Sequence, residues 1–445
     1  MRIRCRIYFP EKFHLSLLLT LLLVLVLATA CDRNEPTPAP TPPVAQPATD
    51  NSNATSAAVQ VANTPTPAPT ATPTFPVEGK IVFWHSWTGA DGDALAALLL
   101  ALQEKYPNLQ VDTLFVAYND LPQSYAEAVQ AGGGPDLVLT ANWWLGEMVA
   151  AEVVQPLDAL LPPDAVANYW PATLDSLRWN GKLYGLPINF ELISLFYNRS
   201  LVAPAQVPTT MASLLALAQA NPQQGIGLYA SLYHLYWGFP AYGSQLFSET
   251  GQVILDQGNG AADYLAWLAT LNKTNGSYVD EDYAMLLDRF KKGEFAFLVD
   301  GPWSITELKG ALAGNLAVAQ LPSGPAGSAQ PWLSADGLFI NPRTSAEQQR
   351  LALAVAQAFT SVESGQILAA RARRLSANRN VQVDDPLLQG FMQQAASAHA
   401  IPMIPEMKEV WGYGGDLLLR VLAGDEDPAQ VVGEAVTLIN EANGK

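Results

Sequence analysis

The sequence predicts an α/β protein of two lobes with helical decoration. Three observations carry this. From Gly79 onward, short apolar runs alternate with stretches of helical spacing. Short strand-like runs recur through the second half of the chain, among longer helical patterns. The chain has 445 residues and about half of them are apolar (49%), enough for two domains or one large bilobed one.

The first thirty residues read as an export signal. Arg2, Arg4, Arg6 and Lys12 make a basic start, and Leu15 to Leu27 is an apolar run too short to span a bilayer comfortably. Ala28-Thr29-Ala30-Cys31 follows and resembles a bacterial lipobox, in which the cysteine is acylated and becomes the new N-terminus. Ala28 stands where that box usually has Leu, and Leu27 lies one step further back. An ordinary cleaved signal or an uncleaved anchor is the plainer alternative.

Residues 31–78 read as a disordered tether. Pro, Thr, Ala and Gln dominate, as in Pro-Thr-Pro-Ala-Pro-Thr-Pro-Pro at 36–43, and large apolar side chains are too few to offset chain entropy. As a coil its ends would stand roughly 40 Å apart, and as polyproline II up to about 140 Å.

Beyond the tether, Lys80 to Trp84 is a short apolar strand and 91–105 has helical spacing, with Asp91 a plausible N-cap. Leu109 to Val116 is a second strand and Tyr118 to Ala131 a second helix, stopped by Gly132-Gly-Gly134. Asp136 to Leu139 is a buried third strand, so this part predicts a largely parallel sheet. Further strands are predicted at 195–197, 294–298, 316–319 and 337–340, with helices at 346–359 and 428–440.

Composition narrows the function. The chain carries −17 overall. The signal holds four of the 24 basic and one of the 41 acidic groups, so the remainder has 20 against 40. Such a surface repels phosphate backbones, which argues against nucleic-acid partners. The two cysteines, Cys5 and Cys31, are consumed by the signal and its cleavage point. That leaves no thiol for a disulfide, zinc cluster or nucleophile, and no cofactor or metal is expected. All eleven tryptophans lie after residue 80. Aromatic faces suit the C–H faces of sugar rings, but they also fill ordinary cores.

Six segments in order resemble the first family of bacterial extracellular solute-binding proteins, whose best-known members bind maltose and maltodextrins. They are Ile81-Val-Phe-Trp-His-Ser-Trp-Thr-Gly89; Gly134-Pro-Asp-Leu-Val138 with Trp143-Trp-Leu-Gly-Glu147; and Asn180-Gly-Lys-Leu-Tyr-Gly-Leu-Pro187 with Glu191 and Leu195-Phe-Tyr-Asn198. Lys292-Gly-Glu-Phe-Ala-Phe297, Asp300-Gly-Pro-Trp303 and Ile404-Pro-Glu-Met-Lys-Glu-Val-Trp411 complete the set. The resemblance implies a periplasmic-binding-protein-like fold of type II, with ligand held in a cleft between lobes joined by crossing segments. It divides the chain into one lobe of 79–190 with 335–380 and another of 191–334 with 381–445. It implies a monomeric, non-catalytic sugar receptor of an ABC importer, working with permease subunits and held to the membrane by its lipid. That places it outside the cytoplasm, in the periplasm or on the outer face.

Carried over residue by residue, the resemblance makes Glu191 an acceptor for sugar hydroxyls and Trp303 and Trp411 stacking platforms. Tyr413 follows on the second of those segments. Tyr233 matches a stacking tyrosine, and Tyr236 and Trp237 belong to the same aromatic cluster. His85 and Trp87 lie just after the first strand, where α/β folds place ligands. Charged residues that clamp hydroxyls in maltose-type members are matched here by Thr88-Gly89 and Trp143-Trp144, so aromatic surface is expected in exchange for charge. Each aromatic also has the simpler reading of core packing, and Glu191 that of a salt-bridged strand end. Two alternatives remain open. One is a secreted glycosidase using Glu191 and Asp300. The other is the same fold with a phosphate, polyamine or iron-chelate ligand, for which cleft cations or several carboxylates would be needed.

Overall fold

The computed structural model describes residues 76–162, 164–424 and 426–445. The export signal, Cys31 and all of the tether but its last three residues lie outside them.

Two sheets organise the fold. In the first, β1 (Gly79–His85) pairs in parallel with β2 (Leu109–Phe115) and with β3 (Leu137–Ala141). The long helix Gly89–Lys105 and the helix Leu121–Gln130 make the crossovers. Asp136 ties β3 to β1 by accepting the Val82 amide at 2.8 Å. A hairpin of β4 (Arg178–Trp179) and β5 (Lys182–Leu183) precedes β6 (Gly185–Leu192), the longest strand reached before the chain leaves this lobe. After Ile193 the chain continues as β7 (Ser194–Asn198), already part of the second sheet.

That second sheet adds β8 (Ile226–Tyr229), β9 (Tyr278–Asp280), β10 (Phe297–Asp300) and β11 (Leu316–Ala319), in the order β11-β7-β10-β8-β9. The chain then returns through β12 (Trp332–Ile340), which lies antiparallel between β3 and β6. Two short strands, β13 (Leu375–Ser376) and β14 (His399–Ala400), complete the first sheet.

Each sheet is covered by its own apolar core. Ile81, Phe83, Leu98, Leu139, Phe339 and Phe359 belong to the first. Leu195, Leu228, Trp237, Tyr264, Val299 and Leu418 belong to the second. A third cluster joins them at the crossings, with Phe190 and Leu192 of β6 and Leu333 of β12 against Phe196 of β7 and Leu298 of β10. The helix Pro386–Gln394 seats here too, close enough that a Cβ on Gly390 would come within 2.6 Å of Val318. Burial of this apolar surface is the main force holding the crossings in place.

Several predicted elements shift. Asp91 is not an N-cap: the helix begins at Gly89 after Thr88, and Asp91 sits in its first turn facing a cation. The strand expected at 294–298 is Phe297–Asp300, because the Gly293 and Glu294 amides still bond back to Phe290 and Arg289 and close the preceding helix. The strand expected at 337–340 starts at Trp332, its early residues crossing between lobes. The helix Ala346–Phe359 lies where its spacing predicted, capped by Ser345, which accepts from the Gln348 amide at 3.1 Å.

Candidate functional site

The site is built on β6 and β12. Their register sets Glu191 opposite Ser334 and Asn189 opposite Asp336. Side chains alternate across a strand, so these four share one face. Phe190, Leu192, Leu333 and Ala335 take the other face and enter the crossing core. One strand pair thus holds a polar floor on one side and the joint between lobes on the other.

Three tryptophans surround a cavity of about 480 Å³ that opens over this floor. Trp143, Trp303 and Trp411 line it together with Glu191, Tyr233, His234 and Ser334. These residues are 41%, 42% and 39% exposed, more than any other tryptophan among the described residues. An exposed indole costs hydrophobic stabilisation, so three around one cavity mark a surface kept free for a ligand.

Trp303 is held in place. It lies in the turn Pro302–Ser304 after β10, folded back over Gly301, where a Cβ would stand 2.1 Å from the ring. Its Nε1 donates to the Tyr283 hydroxyl at 3.1 Å, which in turn donates to Asp300 Oδ2 at 2.8 Å. Asp300 is fully buried, and its other oxygen accepts the Gly301 amide at 2.8 Å. Burial first, then the Asp300 charge, pushes the Tyr283 hydroxyl well above its ordinary pKa, so it stays a donor. Asp300 has no open face, which removes it from the carboxylate pair that a glycosidase would need.

Tyr233 and His234 enter from a turn capped by Ser231 and pack 6.3 and 6.0 Å from the Trp303 ring. Trp411 projects from the helix Met407–Ala423 and meets Trp332 edge-on at 5.2 Å. Trp332 is itself stacked on Tyr236, with ring centres 3.9 Å apart.

Beside the aromatic cavity lies a smaller polar pocket of about 240 Å³, at the carboxyl ends of β1 and β3. Trp87, Tyr118, Thr140, Asn142, Asn189 and Asp336 are among its walls. Arg374 reaches in from the segment after the helix Val362–Ala372. Its Nε and Nη2 donate to the two oxygens of Asp91 at 2.8 and 2.7 Å, and Nη1 donates to Glu191. Burial in the cleft wall raises the Glu191 pKa, and Arg374 opposes that rise. Asp336 is raised for the same first reason, again opposed by Arg374.

The residues singled out in the sequence divide. Trp143, Glu191, Tyr233, Trp303 and Trp411 meet at the aromatic cavity, and Trp87 lines the polar pocket. Five others are not at either. Trp237 is fully buried, its Nε1 donating to the His234 carbonyl at 3.0 Å. Tyr236 is buried under Trp332. Tyr413 packs on the second core and Trp144 on the first. His85 is wedged between Phe83 and Phe115.

Thr88 and Trp143 stand in the pocket wall after β1 and β3, and charge enters the cleft from other positions. The cleft keeps Asp91, Glu191, Asp336 and Arg374. Sequence reading passed over Arg374 because the run Arg371-Ala-Arg-Arg374 looks like a solvated face. Its partner Asp91 is 283 residues away in the chain.

Comparisons with known proteins agree with this architecture. Residues 97–390 match the family model described as bacterial extracellular solute-binding protein. A maltotriose-binding protein of Pyrococcus abyssi is 25% identical over 372 residues, covering 80% of each chain. A maltooligosaccharide ABC transporter solute-binding lipoprotein of Streptococcus pneumoniae is 25% identical, covering 59% of this chain and 66% of the relative. An extracellular solute-binding protein of Staphylococcus aureus, solved with maltose, superposes with a TM-score of 0.74 at 21% identity, over 82% of this chain and 98% of that one. Two lobes, a cleft at their crossing strands and a matching family model over most of the chain lead to one assignment: the chain belongs to the bacterial extracellular solute-binding proteins.

Proposed function

We propose that this protein is the extracytoplasmic receptor of an ABC importer and that it captures an oligosaccharide, of maltodextrin type, between its lobes. One observation carries the reading: three exposed tryptophans, Trp143, Trp303 and Trp411, surround one cavity floored by Glu191. Flat apolar rings with hydroxyl-binding groups between them match a sugar, whose faces are C–H and whose edges are polar. The two curated relatives named above carry maltotriose and maltooligosaccharide binding in their names.

In this reading the lobes are 79–190 with 335–380 and 191–334 with 381–445, and the strands crossing near Ile193 act as the hinge. Ligand contacts made only when Trp143 meets Trp303 and Trp411 drive closure, since a solute shifts the equilibrium only by its differential affinity. Cys31 bears the lipid, the Pro-rich tether gives reach, and the protein works as a monomer that releases its sugar unaltered to permease subunits.

The test is titration of the purified chain with a panel of mono- and oligosaccharides, followed by intrinsic tryptophan fluorescence and by analysis of the recovered sugar. Saturable quenching or enhancement with intact sugar is expected. New reducing ends, or no response to any sugar, would overturn the reading.

A further inference from the structure

The polar pocket of the first lobe has an unbalanced chemistry. Three carboxylates, Asp91, Glu191 and Asp336, line it against one cation, Arg374. Arg374 spends Nε and Nη2 on Asp91 and Nη1 on Glu191. Asp336 is in no ion pair among the described residues. With all groups ionised the pocket carries two surplus negative charges.

The uncharged groups lean the same way. Thr140, Asn142 and Asn189 are 3%, 0% and 1% exposed, and each has a buried side-chain oxygen with no hydrogen-bond partner. A buried acceptor without a donor costs about 1–3 kcal/mol. The β12 register sets Asp336 beside Asn189 on one side and Ala141, between Thr140 and Asn142, on the other. The strand shifts register between Asp336 and Gly337, a bulge of the kind that re-aims a side chain. Trp87, Tyr118 and Trp143 form the aromatic part of the wall, and ring faces attract cations. At about 240 Å³ the pocket has room for several waters or one small polar group with its ring.

What satisfies unpartnered oxygens, surplus carboxylates and aromatic faces together is a cation that only donates. We propose that this pocket binds a protonated amino group, carried by an amino-substituted unit of the oligosaccharide. The inference rests on reading the cleft as the site of an oligosaccharide, and it replaces the neutral maltodextrin of that reading with an amino-substituted one. A hydroxyl offers one proton and demands an acceptor's place in return; an ammonium offers three and also offsets charge. The same chemistry could reach the pocket on a free polyamine, and the test separates the two sources.

The purified full chain is titrated by calorimetry with a glucosamine trisaccharide, its N-acetylated counterpart, a neutral glucose trisaccharide and a linear triamine. The expected result is binding of the free-amine sugar at least about tenfold tighter than of the other two sugars, the scale of one charge-assisted hydrogen bond. Asp336→Asn is expected to remove that preference. If this variant does not fold, the contrast between the amine and its N-acetyl form in the wild type decides alone. Triamine binding without any sugar binding would support the amine pocket and overturn the sugar reading. Neutral or N-acetylated sugar binding as tightly as the amine would overturn the inference and leave the receptor standing. No binding by any of the four would overturn both.

Discussion

Replacing Trp303 with Ala separates a ligand platform from a core residue. The residue is 42% exposed. A tryptophan buries up to ~250 Å² when covered, so about 100 Å² is open in the free protein. Covering that area with a sugar contributes about 2.5 kcal/mol at ~25 cal/mol per Å², or roughly a 70-fold change in Kd. Folding should lose less than at a fully buried site: roughly 150 Å² of the residue is already covered, and truncation also removes the Nε1 bond to Tyr283, worth about 1 kcal/mol. Trp237→Ala is the control, because that ring is fully buried. Its loss should cost about 3–5 kcal/mol of stability and lower Tm by roughly 5 °C. Calorimetric titration with the best oligosaccharide and thermal melts of both variants give the comparison. Wild-type affinity in Trp303→Ala, or a melt as low as that of Trp237→Ala, would refute the reasoning.

Three further outcomes follow from the same contacts. Arg374→Met leaves Asp91 and Glu191 facing each other without their cation; with these side chains 22–36% exposed, about 1–2 kcal/mol of stability should be lost and Tm should fall by a few degrees, whereas an unchanged melt would mean the network is inert. Burial lowers the pKa of His85 from the ordinary 6.5, with a weaker opposing effect from the Trp87 backbone. The unfolded chain therefore takes up protons first, and stability should fall as pH drops through and below about 6.5. Glu191 and Asp336, raised by burial, work in the opposite sense, so the informative quantity is the difference between wild type and His85→Gln in melts from about pH 7.5 to 5. Equal slopes would contradict the histidine account. Cys31→Ser should release the protein from the membrane fraction, and retention there would rule out the lipid anchor.

Much of the fold was legible because it is written in local patterns. The helix Ala346–Phe359 has an apolar period and a Ser345 cap, and both signals sit within the element itself. β10 was placed too early because Phe295-Ala-Phe-Leu298 is apolar enough for a strand, while the Lys292, Gly293 and Glu294 amides still close the preceding helix. The site was legible where a turn forces exposure. Gly301-Pro302 leaves Trp303 no place in the core, and the structure puts its ring in the cleft. Tyr236 and Trp237 are chemically as suited to a sugar as Tyr233, and what separates them is packing: Trp332 covers Tyr236, and Tyr264 and Trp267 flank Trp237. Arg374, Asp91 and Glu191 could not be assembled by spacing at all. They come from three elements brought together by the sheet, and Arg374 looks solvated until Asp91 is placed beside it.

The central claim is that one oligosaccharide is clamped between the lobes by Trp143 on one side and Trp303 and Trp411 on the other. A crystal structure of the protein with its best-bound oligosaccharide tests this most directly. Sugar rings stacked on these indoles, with a hydroxyl or amino group within hydrogen-bond distance of Glu191 or Asp336, is the predicted result. A ligand bound elsewhere, or a saturated protein with the three rings still bare, would contradict it.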